Sequence, residues 1–532
     1  MLLGRFSVHP HKTTRSIPQM GMCPIFEDMM RLNRCLSFLL ILFFASCAAP
    51  QYIPEKKFDR AALVQDYDLM TDILKAKHPS LYWYTPADSM QWYMDAYRAQ
   101  IQDSMTEKDF IWKIMSPLLH QVHCGHTTAA MSKGLTRHLQ GKRYGSFPFY
   151  VKVWGDTVVV TGAQQPDSVI RYGTVIHAIN DVPVTEIIRR CFEHLPEDGY
   201  AQNLNYIRLS SNFPYYYENI IGPSNAYTLT YSNGSAFQQR YSVNAFVPVK
   251  DTGVAVKAKT AVKKPAPPRT TNQRYRSLTI DSTGKYAYMA IHTFNRGNLS
   301  PFIRQSFRTL RKQKVPHLII DIRNNRGGKI RLSTLFTKFI SDTPFRVADT
   351  VYANKNTLKP YTRHFKGRWL NNVQLFFTTH KKKDGLYHMG FFNRRLYKPK
   401  KKNHYNGKVY VLTGGPTFSA ATLFANTVKG QQHVILAGEE TGGGWHGNSG
   451  VMLPQVTLPN TRSRFTVPLF RVVQYNHVPK TGTGILPDWP IPPSYQALLK
   501  REDHKVKMVT DSILRSTPYN RMNASPSRKK GN

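Results

Sequence analysis

The 532-residue chain is short of acid. It carries 32 Asp and Glu against 73 Lys and Arg, giving a formal charge of +41. Such a surface attracts polyanions, so anionic envelope polymers and lipid headgroups are candidate partners. No zinc-finger spacing and no RNA-recognition run is present, so nucleic acid is not an expected partner. Cysteine is scarce: Cys23, Cys35, Cys47, Cys124 and Cys191 are too few to organise a disulfide framework. No His, Cys and carboxylate cluster has metal-ligand spacing, and neither metal nor cofactor is expected. Internal repeats are absent, which excludes a solenoid. The longest apolar run, Leu36 to Phe44, is too short to span a bilayer. What is plentiful is core material: 41% hydrophobic and 12% aromatic residues exclude a disordered chain.

That apolar run follows Arg31 and Arg34 and ends in Ala45-Ser46-Cys47, the layout of a secretory leader. Phe44-Ala45-Ser46-Cys47 resembles a bacterial lipobox. The resemblance implies lipidation at Cys47, removal of residues 1–46, and a lipid-anchored place in the cell envelope, periplasm-facing or on the outer membrane. Met29 and Met30 precede the leader, so residues 1–28 read as an overextended start. Whether Cys124 and Cys191 pair is open at this level.

Periodicity divides the rest. Residues 47–140 read as helical, with Leu63, Tyr67, Met70 and Leu74 on one face and a helix start at Thr106 and Asp109. Residues 141–247 alternate with period two, as in Phe147, Phe149, Val151 and Val153, and turn at Asn180-Asp181. Residues 248–275 form a basic Pro/Ala linker. In 276–500, buried-type strands at 318–320, 409–412 and 434–436 alternate with helices, an α/β pattern. A basic insertion near 344–405 interrupts it, and 501–532 reads as a basic tail.

Ser419 follows a strand and the turn Gly414-Gly415-Pro416 and opens a helix, where free N–H groups favour a developing oxyanion. Alone, a serine there is an ordinary cap. Gly327-Gly328 after another strand allows backbone N–H groups close to a substrate carbonyl, and His126 in the break after a helix offers an imidazole base.

Together, Gly125-His126-Thr127, the run 318–328 (LIIDIRNNRGG), 414–421 (GGPTFSAA) and 438–444 (GEETGGG) resemble the S41 serine peptidases, the tail-specific and tricorn-like proteases. The resemblance spans roughly 58–490. It implies a crotonase/ClpP-like α/β core, an N-terminal helical region, a PDZ-like β-rich domain that binds extended peptides, and a polypeptide substrate. It further implies Ser419 as nucleophile, His126 as general base, oxyanion donors among the N–H groups of Ala420, Gly327 and Gly328, and supporting roles for Asp321, Arg323, Glu439 and Thr441.

Three departures bear on mechanism, the first being Gly125 before His126, where the tricorn-like branch has a Ser. The family's processing branch places a Lys 25 positions after the Ser, where this chain has Gly444. The tricorn-like branch has an acid shortly before the segment that aligns with Gly484-Ile485-Leu486-Pro487-Asp488, and none precedes it here. The expectation is a serine peptidase using Ser419 and His126. The alternatives are a catalytically weak or inactive S41-like peptide-binding lipoprotein, or an envelope scaffold holding anionic polymers on its basic insertion.

Overall fold

The computed structural model describes residues 52–140, 145–234, 237–248, 272–392 and 395–516. The leader with Cys47 and nearly all of the expected linker lie outside the described residues.

The front of the described chain is helical because its apolar residues recur on one face. Helices Arg60–Lys77 and Ala87–Ala99 and the helical run through Glu107–Asp109, Phe110–Met115 and Ser116–His120 bury Leu63, Tyr67, Met70, Phe110, Ile114 and Leu118. Thr106 and Asp109 form the reciprocal cap that their spacing predicts. This face packs on Val456, Leu458, Phe465 and Phe470 from the far end of the chain, so the helical front shares its core with late strands. Buried Asp66 accepts hydrogen bonds from the N–H groups of Asn460 (3.0 Å) and Thr461 (2.8 Å) and from the Thr461 hydroxyl (2.7 Å).

The β-rich region forms an antiparallel sheet of Phe149–Trp154, Thr157–Ala163, Val175–Ile179, Ala226–Ser232 and Gln239–Asn244, in chain order. Phe149, Val151 and Val153 face inward, as alternation requires. Asn180 and Asp181 take positive φ (50° and 61°) in the expected turn. At the edge strand Phe149–Trp154, Val153 N–H donates to Ser210 Oγ at 2.8 Å, so helix Asn203–Ser211 covers part of that edge.

The α/β core is a six-stranded sheet: Arg276–Ile280, Tyr286–Ile291, His317–Asp321, Lys408–Thr413, Val434–Gly438 and Trp489–Pro490, parallel from the second strand onward. Both faces are covered, which is why these strands read as continuous apolar runs. On one face lie helices carrying Ile303, Phe307, Phe336 and Phe424. On the other lies helix His504–Ser516, whose Val509 and Ile513 are fully buried. The expected tail therefore begins with a packed helix. Each of those two side chains contributes about 1.5–3 kcal/mol by burial.

The basic insertion is also more than a solvated loop. Its strands Ala348–Ala353, His380–Lys381 and Tyr387–His388 join Phe470–Gln474 and Gly447–Gly450 in a five-stranded antiparallel sheet. Cys124 and Cys191 are both buried and free. No helix among the described residues is long and apolar enough to cross a membrane.

Candidate active site

Ser419 sits where strand Lys408–Thr413 gives way to helix Ala420–Val428, with φ 54° and ψ −122°. A non-glycine residue there stores on the order of 1–3 kcal/mol of strain and persists only if its surroundings hold it. They do. Thr417 Oγ1 donates to Ile322 O (3.0 Å) and accepts from Gly414 N–H (3.1 Å), and Phe418 N–H donates to Asn325 O (3.1 Å). The turn is thus stitched to the segment after strand His317–Asp321. Ser419 is half-buried between buried neighbours, and its hydroxyl has no hydrogen-bond partner among the described residues.

Gly327 lies against it. A Cβ at Gly327 would stand 2.8 Å from Ser419 Cβ, 2.8 Å from Ala420 N and 2.7 Å from Phe418 O, and its φ of +87° disfavours any side chain. Its own N–H donates to Asn325 Oδ1 at 2.9 Å, while Asn325 Nδ2 donates to Ile291 O at 2.9 Å. Of the three expected oxyanion donors, Gly327 is therefore already engaged. It contributes space rather than an N–H. Ala420 N–H and Gly328 N–H have no partner among the described residues.

His126 reaches the same place from the helical front. Its ring packs on Phe418, the neighbour of Ser419, with centroids 4.8 Å apart. Its Nδ1 is enclosed and unpartnered, and no hydrogen bond joins it to Ser419. Catalytic hydrogen bonds often tighten only when substrate binds. Burial, then the Arg208 guanidinium, lower its pKa to about 4, with a Ser449 backbone hydrogen bond acting the other way. The imidazole is neutral at pH 7 and able to accept a proton.

The turn holding His126 is clamped from both sides. Asp198, fully buried, accepts Gly125 N–H at 2.7 Å and Gly444 N–H at 3.5 Å. Its burial pushes its pKa up to about 6, against the lowering by Gly125 N–H and by buried Arg471. On the other side, Ser80 N–H donates to His78 Nδ1 (3.2 Å), which leaves the proton on Nε2 to reach Thr127 Oγ1 (2.8 Å). Burial holds His78 neutral, with a pKa of about 3. Ser80 and Ser449 pair through their hydroxyls. Asp198, His78, Ser80 and Ser449 carry no motif, so sequence reasoning missed them. A lone Asp-Gly pair at 198–199 was the only signal, and it reads as a turn.

Gly444 lies 25 positions after Ser419, where the resemblance to the processing branch leads one to expect a lysine. A Cβ there would meet Gly447 O at 2.9 Å, Tyr84 OH at 3.4 Å and Asp198 Cβ at 3.7 Å. Only the Gly447 carbonyl falls inside ordinary contact distance, so a side chain at this position must push against backbone.

The supporting residues lie to one side. Arg323 bridges Asp321 and Asp503 (2.7 Å each), and Tyr288 OH donates to Asp321. Glu439 pairs with Lys505 at 2.7 Å. Both clusters anchor the start of helix His504–Ser516 to the sheet. Thr441 Oγ1 donates to Gly443 O and accepts Ile485 N–H, both at 2.8 Å, tying the loop to the late strands. Arg323, Glu439 and Lys505 also line a cleft of about 800 Å³. It runs between Lys152–Gly155 of the β-rich region and the carboxyl ends of the parallel strands, including Gly414-Gly415-Pro416.

Residues 285–491 match the model of Peptidase family S41. No curated protein matches the chain. Among solved structures, mature CPAF superposes with a TM-score of 0.58 at 14% identity, covering 86% of this chain and 99% of its own. Mature CPAF complexed with lactacystin gives 0.59 at 13% identity over the same shares. A putative peptidase from Parabacteroides merdae reaches 0.44 at 13% identity, over 85% and 96%.

Proposed function

We infer from the match of residues 285–491 to Peptidase family S41 that this chain is a serine peptidase of the cell envelope in which Ser419 attacks the peptide carbonyl. The observation that carries the reading is the contact set around Ser419: Gly327 pressed on its Cβ, an unengaged Ala420 N–H at the helix start, and the His126 ring on Phe418. His126 takes the hydroxyl proton as Ser419 Oγ bonds to the carbonyl carbon. The oxyanion faces the N–H groups of Ala420 and Gly328. His126 then returns the proton to the leaving amine, and water hydrolyses the acyl-enzyme by the reverse use of the same groups.

The cleft beside Gly414-Gly415-Pro416 suits an extended polypeptide, with the β-rich region as a PDZ-like module along one wall. The leader and Cys47 support a lipid-anchored location. The unpartnered Ser419 hydroxyl favours a second reading, a peptide-binding protein with weak or no catalysis.

A fluorophosphonate probe separates the two. Wild-type labelling that is lost in Ser419→Ala and in His126→Ala supports the peptidase. Folded wild type that neither labels nor cleaves unstructured polypeptide overturns it in favour of the binding protein.

A further inference from the structure

Helix Arg368–Thr378 of the basic insertion has one face accounted for and one not. Inward, Leu375 is buried and Asn372 Oδ1 accepts Leu358 N–H at 2.7 Å. Outward, Trp369, Leu370, Phe376 and Phe377 are 75%, 62%, 63% and 72% exposed. With half-buried Val373 these positions follow i, i+1, i+4, i+7 and i+8, which places all five on one arc of the helix. Phe376 and Phe377 meet edge-to-face at 5.3 Å. A contiguous apolar face of this kind on a soluble domain marks an interaction surface.

The charge around it selects the partner. Lys366 and Arg368 flank one end and Lys381, Lys382 and Lys383 the other, all exposed, and no acid occurs between Asp349 and Asp384. A second copy meeting this face symmetrically would set like charges against each other. The helix is too short to cross a bilayer. Apolar rings flanked by cations fit the boundary between acyl chains and anionic headgroups.

We propose that helix Arg368–Thr378 is an interfacial anchor that lays the protein on a bilayer carrying anionic headgroups. The proposal stands on exposure and charge alone and is independent of the role given to Ser419.

The test is sedimentation of the full chain with vesicles of phosphatidylcholine alone or mixed with phosphatidylglycerol. The chain carries Cys47→Ser so that no acyl group adds affinity. Binding is expected only with phosphatidylglycerol present. It should weaken by about tenfold or more in the double variant Phe376→Ser/Phe377→Ser and in the triple variant Lys381→Gln/Lys382→Gln/Lys383→Gln. Trp92→Ser, exposed on another helix, should bind as wild type does, and all variants should keep the wild-type unfolding midpoint. Brominated acyl chains should quench fluorescence in wild type and less in Trp369→Phe. Absence of vesicle binding, equal binding to both vesicles, or binding untouched by both multiple variants overturns the proposal. So does a wild-type dimer that Phe376→Ser/Phe377→Ser dissociates without any vesicle binding, which assigns the face to a second copy.

Discussion

The two halves of the candidate active site are built in opposite ways. Ser419 is held by a strand-turn-helix whose ties stay within the α/β core, to the neighbouring strand end at Ile322 and Asn325 and to the loop at Gly442 and Gly443. His126 is held by groups scattered through the chain: His78, Asp198, Gly444 and Ser449. A locally built nucleophile can be altered without disturbing the fold. A globally built base ties its geometry to the stability of several regions.

Replacing Ser419 by Ala should break that asymmetry most sharply. Loss of at least ~10⁴-fold in kcat/KM on an unstructured polypeptide, with an unchanged unfolding midpoint, is expected. A residual rate near wild type would remove Ser419 from the reaction.

Gly327→Ala comes next, because it injures the local half by crowding. The added Cβ falls 2.8 Å from Ala420 N and Ser419 Cβ. Displacing the oxyanion donor should cost roughly 10²- to 10³-fold in kcat with KM little changed. Steady-state kinetics checks the split.

Asp198→Asn probes the distributed half. The amide retains one acceptor and turns N–H toward a second donor, so a drop of roughly 10- to 100-fold in kcat is expected. The pH profile sharpens the comparison. Asp198 titrates at about 6 and His126 at about 4, so the wild-type acid limb should follow Asp198. In Asp198→Asn that limb should move down toward 4. A limb that stays near 6 would mean Asp198 does not control the His126 turn.

The smallest effect is on stability. His78, His126 and His194 have folded pKa values of about 3, 4 and 4, all below the ordinary 6.5. The unfolded chain binds more protons than the folded one below pH 6.5, so their contribution is lost as pH falls from 6.5 toward 4. Asp198, raised to about 6, acts the other way between 3.8 and 6. Burial also lowers His120, His317, His364 and His446 and raises Glu218 and Glu440, so the histidines outnumber the opposing acids and a falling unfolding midpoint from pH 7 to 5 is expected in thermal melts. His78→Gln should flatten the slope.

Legibility followed the same divide. Ser419, the glycine turns, the parallel strands and the Thr106 cap were readable because each is a short pattern with a local physical cause. The engaged state of Gly327 N–H was not, since it depends on a side chain, Asn325, folding back two residues. Asp198 was invisible because its role comes from burial between two segments remote in sequence. Helix His504–Ser516 hid in a basic composition, although Val509 and Ile513 lie one helical turn apart on its buried face.

The bond from Asp66 to Asn460 and Thr461 has a consequence for biosynthesis. The Asp66 carboxylate of the first long helix finds its hydrogen-bond donors almost four hundred residues downstream, and the sheet behind His126 includes strand Phe470–Gln474. While the ribosome is still adding residues before that point, the His126 turn lacks the late strand that completes this sheet. A nascent or prematurely ended polypeptide therefore lacks part of the candidate site, which is complete only in a chain made through its late strands.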